Sequence, residues 1–188
     1  MKAGLVVVGV IVLAVLIFGG QLMSGRNTLV TEKNEIDSRW AQVDNDMKRR
    51  ADLIPNLVET VKGFAKQEQT VIGEVTNARA ALLGAHSKQE EIGANSQLTG
   101  ALGRLLVLQE NYPQLKSNEN FLRLQDELAG TENRIAVSRR DYNLAIQKYN
   151  TDVELFPRNI AASIFGFRKD DAYFKTTEEE KKVPQVKF

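Results

Sequence analysis

The sequence predicts an all-α protein: an N-terminal transmembrane helix followed by an elongated antiparallel bundle of about four long helices. Three observations support this class. Residues 3–25 carry no charge and are largely aliphatic, the rest of the chain shows amphipathic repeats, and a regular heptad pattern lies in its C-terminal half. The periodicity is helical throughout, so we expect helices joined by short turns.

The N-terminal run is long enough to cross a bilayer. As a helix, residues 3–25 span about 34 Å, against a hydrocarbon core of roughly 30 Å. A cleaved signal peptide is the alternative, but the apolar region is long for one and residues 19–25 lack a clear A-x-A cleavage site. The chain has no cysteine, which excludes a lipoprotein cleavage site. We expect an uncleaved single-pass anchor that contacts membrane lipid. Basic residues flank both ends, so its orientation stays open.

Composition argues against several functional classes. The chain has 25 basic and 24 acidic residues, so no basic excess points to nucleic acid. Without cysteine there is no thiol catalysis and no cysteine metal site. The single histidine, His86, lies in a polar loop outside any H-E-x-x-H pattern and cannot hold a closed zinc site without several carboxylates. We predict no catalytic residue, no metal site and no cofactor.

The first two helices after the anchor are predicted from apolar stripes and one proline. Stripe residues on the first helix are Leu29, Ile36, Trp40, Val43 and Met47. Proline is disfavoured inside a helix, so Pro55 predicts a break or sharp kink near residues 50–52. Asp52 would then cap a second helix over residues 53–83. Its apolar positions are Leu57, Val61, Phe64, Val71, Val75, Ala78 and Leu82.

The remaining helices follow from loop signals and from the heptad. We expect a polar loop over residues 84–93 and a third helix over residues 94–111, closed by a Tyr-Pro pair. In the fourth helix six apolar residues lie seven apart: Phe121, Leu128, Ile135, Tyr142, Tyr149 and Phe156. Pro157 ends this helix of about 37 residues, and such regularity is typical of a long antiparallel bundle. A short helix over residues 159–165 and an irregular or extended tail complete the prediction.

Several blocks of sequence carry a family resemblance. They are KRRADLIPNLVETVKGF at 48–64, ENYPQLK at 110–116 with Phe121, TENRIA at 131–136, RRDYN at 139–143, and YNT at 149–151 with Phe156-Pro157. In this order and spacing the chain resembles the LemA family of bacterial membrane-anchored helical proteins. The resemblance implies a short anchor followed by an elongated bundle of mainly four helices, with no known reaction. It also implies a structural or regulatory membrane protein, linked to membrane organisation by magnetosome-associated relatives and to envelope stress by members found alongside a membrane metalloprotease.

Two groups of residues are candidate partner-binding sites. The first is Arg49, Arg50 and Asp52, whose arginines either grip phosphates or carboxylates of a partner or pair with acidic neighbours in the same chain. The second is an aromatic group, which either packs over the end of the bundle or contacts another chain. Its members are Phe165, Phe167, Tyr173 and Phe174. The dense polar stretch over residues 132–143 indicates a structural network that specifies helix pairing.

We therefore predict three parts: a transmembrane anchor at 3–25, a LemA-like helical bundle at 27–157, and an aromatic-rich C-terminal segment and tail at 158–188. The leading hypothesis is a non-enzymatic, single-pass protein of the bacterial inner membrane that forms homo-oligomers and acts as a scaffold or organiser of the envelope. The alternative is a regulatory adaptor that docks onto a membrane protease or signalling partner. An enzyme would need a deep polar pocket with a perturbed acid or base.

Overall fold

The computed structural model describes residues 2–175, and every regular element among them is helical, as the sequence predicts. The helices are α1 (Lys2–Phe64), α2 (Gln69–Leu83), α3 (Lys88–Val107), α4 (Pro113–Lys116), α5 (Glu119–Glu154) and α6 (Arg158–Phe165), with a 3₁₀ turn at Leu108–Glu110. These residues form two compact units. The first holds residues 2–40 and 141–173, and the second holds residues 41–140 and 174–175. The predicted polar run and tail after residue 177 lie outside the described residues.

α1 begins as an apolar helix with exposed side chains. All residues from 3 to 18 are exposed, and this stretch is long and apolar enough to cross a membrane. Burial begins at Gly25 and Leu29 and recurs at the predicted stripe positions, Ile36, Trp40, Val43 and Met47. The apolar stretch and the buried stretch therefore belong to one continuous helix.

The predicted break near residues 50–52 is wrong, because α1 continues with Pro55 in its interior. Proline lacks the N–H that would bond the carbonyl oxygen four residues earlier, which is that of Ala51. Arg79 of α2 donates from its Nε to that oxygen at 2.8 Å. Asp52 is therefore an exposed residue inside a helix and does not cap one.

The predicted second helix over residues 53–83 is also wrong, because the chain turns at residues 65–68. The amide of Glu68 donates to the carbonyl oxygen of Ala65 at 3.1 Å and closes this turn. Phe64, assigned to the core by its spacing, is 38% exposed because it ends α1. The turn contains neither glycine nor proline, so the sequence carries no strong signal for it.

The loop predicted over residues 84–93 is shorter than expected. Ser87 has extended backbone angles and its hydroxyl accepts the N–H of Glu90 at 3.2 Å, which starts α3 at Lys88. This is an ordinary serine N-cap. The helix ends at Val107, where a 3₁₀ turn takes over.

α5 agrees with the heptad prediction. It has 36 residues, and five of the six heptad residues are at most 5% exposed: Phe121, Leu128, Ile135, Tyr142 and Tyr149. The sixth, Phe156, is 78% exposed because α5 has already ended at Glu154. Within the first unit α5 runs antiparallel to α1, since the ring of Tyr142 contacts that of Trp40, tilted by 58° with 5.1 Å between centroids, while Lys148 lies beside Glu32.

α6 packs against α1 in the first unit at a glycine. A Cβ atom on Gly25 would lie 3.1 Å from the Cβ of Ala161, so a larger residue there would require α6 to shift by a few tenths of an ångström. α6 ends at Gly166, whose φ of +75° is left-handed, and the amide of Phe167 donates to the carbonyl oxygen of Ala162 at 2.9 Å. The second unit brings parts of α1 and α5 together with α2 and α3.

Candidate functional site

Arg50 is the centre of a polar network in the second unit. The residue as a whole is 1% exposed, and its guanidinium contacts the carboxylate of Glu132 on α5 and the side-chain oxygen of Asn95 on α3. It also donates to the hydroxyl of Thr99 at 3.0 Å. The network ties α1, α3 and α5 together through one side chain.

Burial dominates the electrostatics of this network. It lowers the pKa of the Arg50 guanidinium below its ordinary value, and the carboxylate of Glu132 opposes that effect. Arginine stays charged inside proteins, so the buried charge needs its counter-ion. Neither the Nε of Arg50 nor the amide nitrogen of Asn95 has a hydrogen-bond partner in the part of the chain that the structure describes. The network is therefore only partly satisfied.

The structure separates the three residues of the first candidate group. Arg50 points into the second unit, whereas Arg49 and Asp52 are exposed on α1. Arg49 and Asp52 are three residues apart and share one helix face. They remain the two members of this group that a partner can reach.

A second buried polar contact joins α1 to α5. Ser138 donates from its hydroxyl to Oδ2 of Asp46 at 2.5 Å, and both residues are at most 7% exposed. Close by on α5, the guanidinium of Arg139 lies 5.0 Å from the ring centroid of Phe174. The polar stretch over residues 132–143 thus supplies contacts inside the protein, which is the structural role expected of it.

Asn150 holds the segment after α6 onto α5. Its side-chain nitrogen donates to the carbonyl oxygen of Asp170 at 2.8 Å, and its side-chain oxygen accepts the N–H of the same residue at 2.8 Å. The neighbouring Tyr149 hydroxyl donates to the carbonyl oxygen of Arg168 at 2.9 Å. Two adjacent side chains thus satisfy three backbone groups of an irregular segment, which fixes its path.

The side chains of three aromatic candidates, Phe165, Tyr173 and Phe174, contact their own chain, and Phe167 does so through its amide. The ring of Phe165 lies under the guanidinium of Arg26, 5.6 Å from ring centroid to Cζ. The hydroxyl of Tyr173 accepts from Asn150 at 3.1 Å. Phe167, Tyr173 and Phe174 are half-buried, while Phe165 is 37% exposed. No partner chain is needed to account for these contacts.

Glu32 belongs to a charged cluster between α1 and the end of α5 in the first unit. It is 5% exposed, and Nζ of Lys148 lies 3.3 Å from its Oε1. Burial raises the pKa of Glu32 above its ordinary value of 4.5, and the adjacent carboxylate of Asp152 raises it further. Burial also acts to raise the pKa of Asp152, but hydrogen bonds from Arg158 and Glu32 lower it overall.

These shifts have opposite consequences for stability. A raised pKa in the folded state means that Glu32 contributes most below its unfolded-state pKa, near 4.5, and that the contribution is lost as the pH rises through the folded-state pKa. Asp152, with a lowered pKa, contributes above its unfolded value of 3.8, and its contribution is lost as the pH falls through the folded-state pKa.

A cleft of about 280 Å³ lies between α1 and the start of α6. Its apolar lining comes from Phe18 and Leu22 on α1 and from Phe156 and Ile160 on the other side. Among residues 2–175 no group of three or more His, Cys, Asp or Glu side chains is placed to hold a metal ion. His86 lies exposed in the loop between α2 and α3.

Several of these residues escaped the sequence analysis. Asn95, Arg79 and Glu32 lie in stretches with no motif, and each acquires its role from a residue far away in the chain. Asn150 belongs to the YNT block that carries the family resemblance, so that block was the available signal.

Comparison with known proteins gives the family. A family model described as the LemA family matches residues 39–188. Magnetosome protein MamQ 2 of Paramagnetospirillum magneticum is 28% identical over 190 residues, covering 87% of this chain and 70% of the relative. Protein LemA of Metamycoplasma hominis is 24% identical over 152 residues, covering 80% and 69%. Magnetosome protein MamQ of Magnetospirillum gryphiswaldense is 24% identical over 184 residues, covering 84% and 68%. These relatives, together with the apolar N-terminal helix of this chain, suggest membrane localisation. The chain belongs to the LemA family.

Proposed function

We propose that this protein is a non-enzymatic, single-pass protein of the bacterial inner membrane that assembles with copies of itself and organises the envelope. The observation that carries the proposal is the continuity of α1. The exposed apolar residues 3–18 and the buried positions from Gly25 onward belong to one helix without a break. A span that continues into the folded part transmits its position and tilt directly to that part.

An outward-facing apolar pair on α5 supports self-association. Val137 and Leu144 are 50% and 54% exposed and lie seven residues apart, so they share one face of the helix. The buried heptad residues Ile135 and Tyr142 precede them by two positions and face the interior. Copies tethered to one membrane are confined near each other, so a small apolar contact of this kind is enough to hold them together.

Native mass spectrometry of the full chain in lipid nanodiscs tests the proposal. We expect discrete multiples of the 21.0 kDa protomer. Changing Val137 and Leu144 together to Lys should shift the distribution to the protomer. A matched variant with Ala129 and Ala136, which are exposed on α5, lie seven residues apart and point about 80–100° away from Val137, changed to Lys should leave it unchanged. A strictly monomeric full-length protein across all lipid-to-protein ratios would contradict the assembly proposal.

A regulatory adaptor is the second candidate, and the exposure of Arg49 and Asp52 favours it. Neither residue is buried in α1, so both are available to a membrane protease or signalling partner. A photo-crosslinking residue at position 49 should then give one defined adduct in cells, which charge reversal of Asp52 to Lys removes. If position 49 gives no adduct, or if the Asp52 change leaves the adduct unchanged, the result counts against the adaptor.

A further inference from the structure

A second exposed apolar surface lies far along the chain from the N-terminal run. Leu155, Phe156 and Ile164 are 58%, 78% and 59% exposed. Phe156 is more exposed than any large apolar side chain of the N-terminal run, where Leu5 reaches 73%. We call residues 155–165, which include α6, the α6 segment. Water is a poor environment for so much apolar surface in one short segment.

The faces of α6 differ in chemistry. Ala161 and Ala162 are buried, and Ala161 meets Gly25 of α1. Ile160 and Ile164 are four residues apart and form an apolar face, and Phe156, just before α6, lines the same cleft as Ile160. The exposed residues Asn159 and Ser163 form a polar face beside it. One face thus packs on the protein, one is apolar and one is polar, as in a helix at the surface of a membrane.

The position of α6 on α1 places this apolar face at the end of the N-terminal run. Gly25, where α6 packs, is the last residue of the uncharged stretch. Phe156 and Ile160 face Phe18 and Leu22 across the cleft. Phe18 lies seven residues, or about 10 Å of helix, toward the N-terminus from Gly25. The apolar surface of the segment is therefore continuous with the apolar surface of the run.

Charges around the segment suit a layer of lipid headgroups. Arg26 follows the apolar run directly and lies over the ring of Phe165, with its guanidinium exposed beyond the apolar surface. Arg158 pairs with Asp152 and Lys169 pairs with Glu154, so these four charges cancel. Arg168 is offset by Asp170 and Asp171, which follow it within three residues, so Arg26 is the basic residue at the end of the apolar run. Basic residues at this level attract anionic lipid phosphates.

We propose that the α6 segment lies in the lipid–water interface of the membrane that residues 3–25 cross, with Phe156, Ile160 and Ile164 in the acyl boundary. The inference rests on the proposed single-pass anchoring and adds a second membrane contact. The α6 segment connects the end of α5 to Asp170, which Asn150 holds. The contact of the segment with lipid therefore fixes the end of α5 at the bilayer surface. The two lipid contacts then lie side by side, at the point where α1 leaves the membrane.

Single-cysteine labelling of the full chain tests this, because the protein has no cysteine to remove. A small fluorophore is placed at Phe156→Cys, Ile164→Cys, Ser163→Cys, Gln147→Cys or Leu13→Cys in vesicles of phosphatidylcholine and phosphatidylglycerol. Quenching is measured with nitroxides at two depths in the lipid chains and with aqueous iodide. The Ser163 position is the matched control on the polar face of α6, and the Gln147 position is an exposed site on α5.

We expect the labels at 156 and 164 to lie about 5–10 Å inside the headgroup boundary, as for interfacial helices. The labels at 163 and 147 should be quenched by iodide and not by lipid nitroxides. Iodide quenching at 156 and 164 equal to that at 163 overturns the inference, and so does protection from both quenchers, which would mean that a second protein copy covers the face. A label at Leu13 that no lipid nitroxide quenches would instead refute the membrane anchoring itself.

Discussion

Removing the partly exposed carboxylate of Glu132 should destabilise the protein more than removing the buried guanidinium of Arg50. The side chain of Arg50 is 2% exposed and that of Glu132 is 42% exposed. In Glu132→Ala the guanidinium stays buried with only the neutral oxygens of Asn95 and Thr99 around it. An uncompensated buried charge of this kind costs about 3–5 kcal/mol, and we expect the lower end because Glu132 lies at a partly hydrated edge.

Removing the guanidinium of Arg50 instead should lower the free energy of unfolding by less, for a structural reason. In Arg50→Met most of the apolar stem is retained, and the carboxylate of Glu132 is exposed enough to be hydrated. The main loss is the hydrogen bond to the oxygen of Asn95, which is 0% exposed. Leaving that acceptor unpaired costs about 1–3 kcal/mol. Glu132→Ala is therefore expected to cost about 1–2 kcal/mol more than Arg50→Met.

Urea unfolding of the detergent-solubilised protein, followed by far-UV circular dichroism, measures these free energies. The double variant should be about as stable as Arg50→Met alone, because no buried charge is left for the missing carboxylate to neutralise. An Arg50→Met cost equal to or above that of Glu132→Ala would refute the reasoning. So would simple additivity of the two changes.

Three further perturbations test other parts of the structure. Glu32→Gln should increase the free energy of unfolding more at pH 7 than at pH 4, because a raised pKa means that ionised Glu32 destabilises the folded state relative to its protonated form; an equal gain at both pH values would show that ionisation is not the cause. Asn150→Asp loses the donor to the carbonyl oxygen of Asp170, so limited proteolysis should cut the segment after α6 faster while α5 keeps its helicity. An unchanged cleavage rate would mean that this amide does not hold the segment. Gly25→Leu should displace α6, since even a Cβ there is crowded at 3.1 Å, whereas the matched Gly20→Leu meets no atom within 4 Å and should be neutral. Equal thermal midpoints for the two glycine variants would argue against the packing.

Patterns that repeat along the chain were predictable, because they report which side of a helix is buried. The five buried heptad residues of α5 and the stripe on α1 follow from spacing alone. The apolar run was predictable for the same reason, since its composition needs no partner to interpret. Phe156 shows the limit of the method: its spacing continues the heptad, but the helix that would have buried it has ended.

Interactions between distant residues were not predictable from one sequence. Pro55 signals a broken helix by every local rule, and only the approach of Arg79 to the oxygen of Ala51 supplies the missing hydrogen bond. The candidate site behaves likewise. Arg49 and Arg50 are indistinguishable as neighbours in sequence, yet one is exposed and the other is 1% exposed.

The sequence by itself determined the helical class, the apolar run and the buried faces, because each depends on local composition and on periodicity that a helix translates directly into direction. The family came from the resemblance of several sequence blocks, and the family model confirms it. Tertiary structure decided that α1 continues through Pro55, that Arg50 is an interior ion with Glu132, and that α6 meets α1 at Gly25. These outcomes depend on groups that lie tens of residues apart in the chain. Their energies exist only once folding has brought the partners within hydrogen-bond or van der Waals distance.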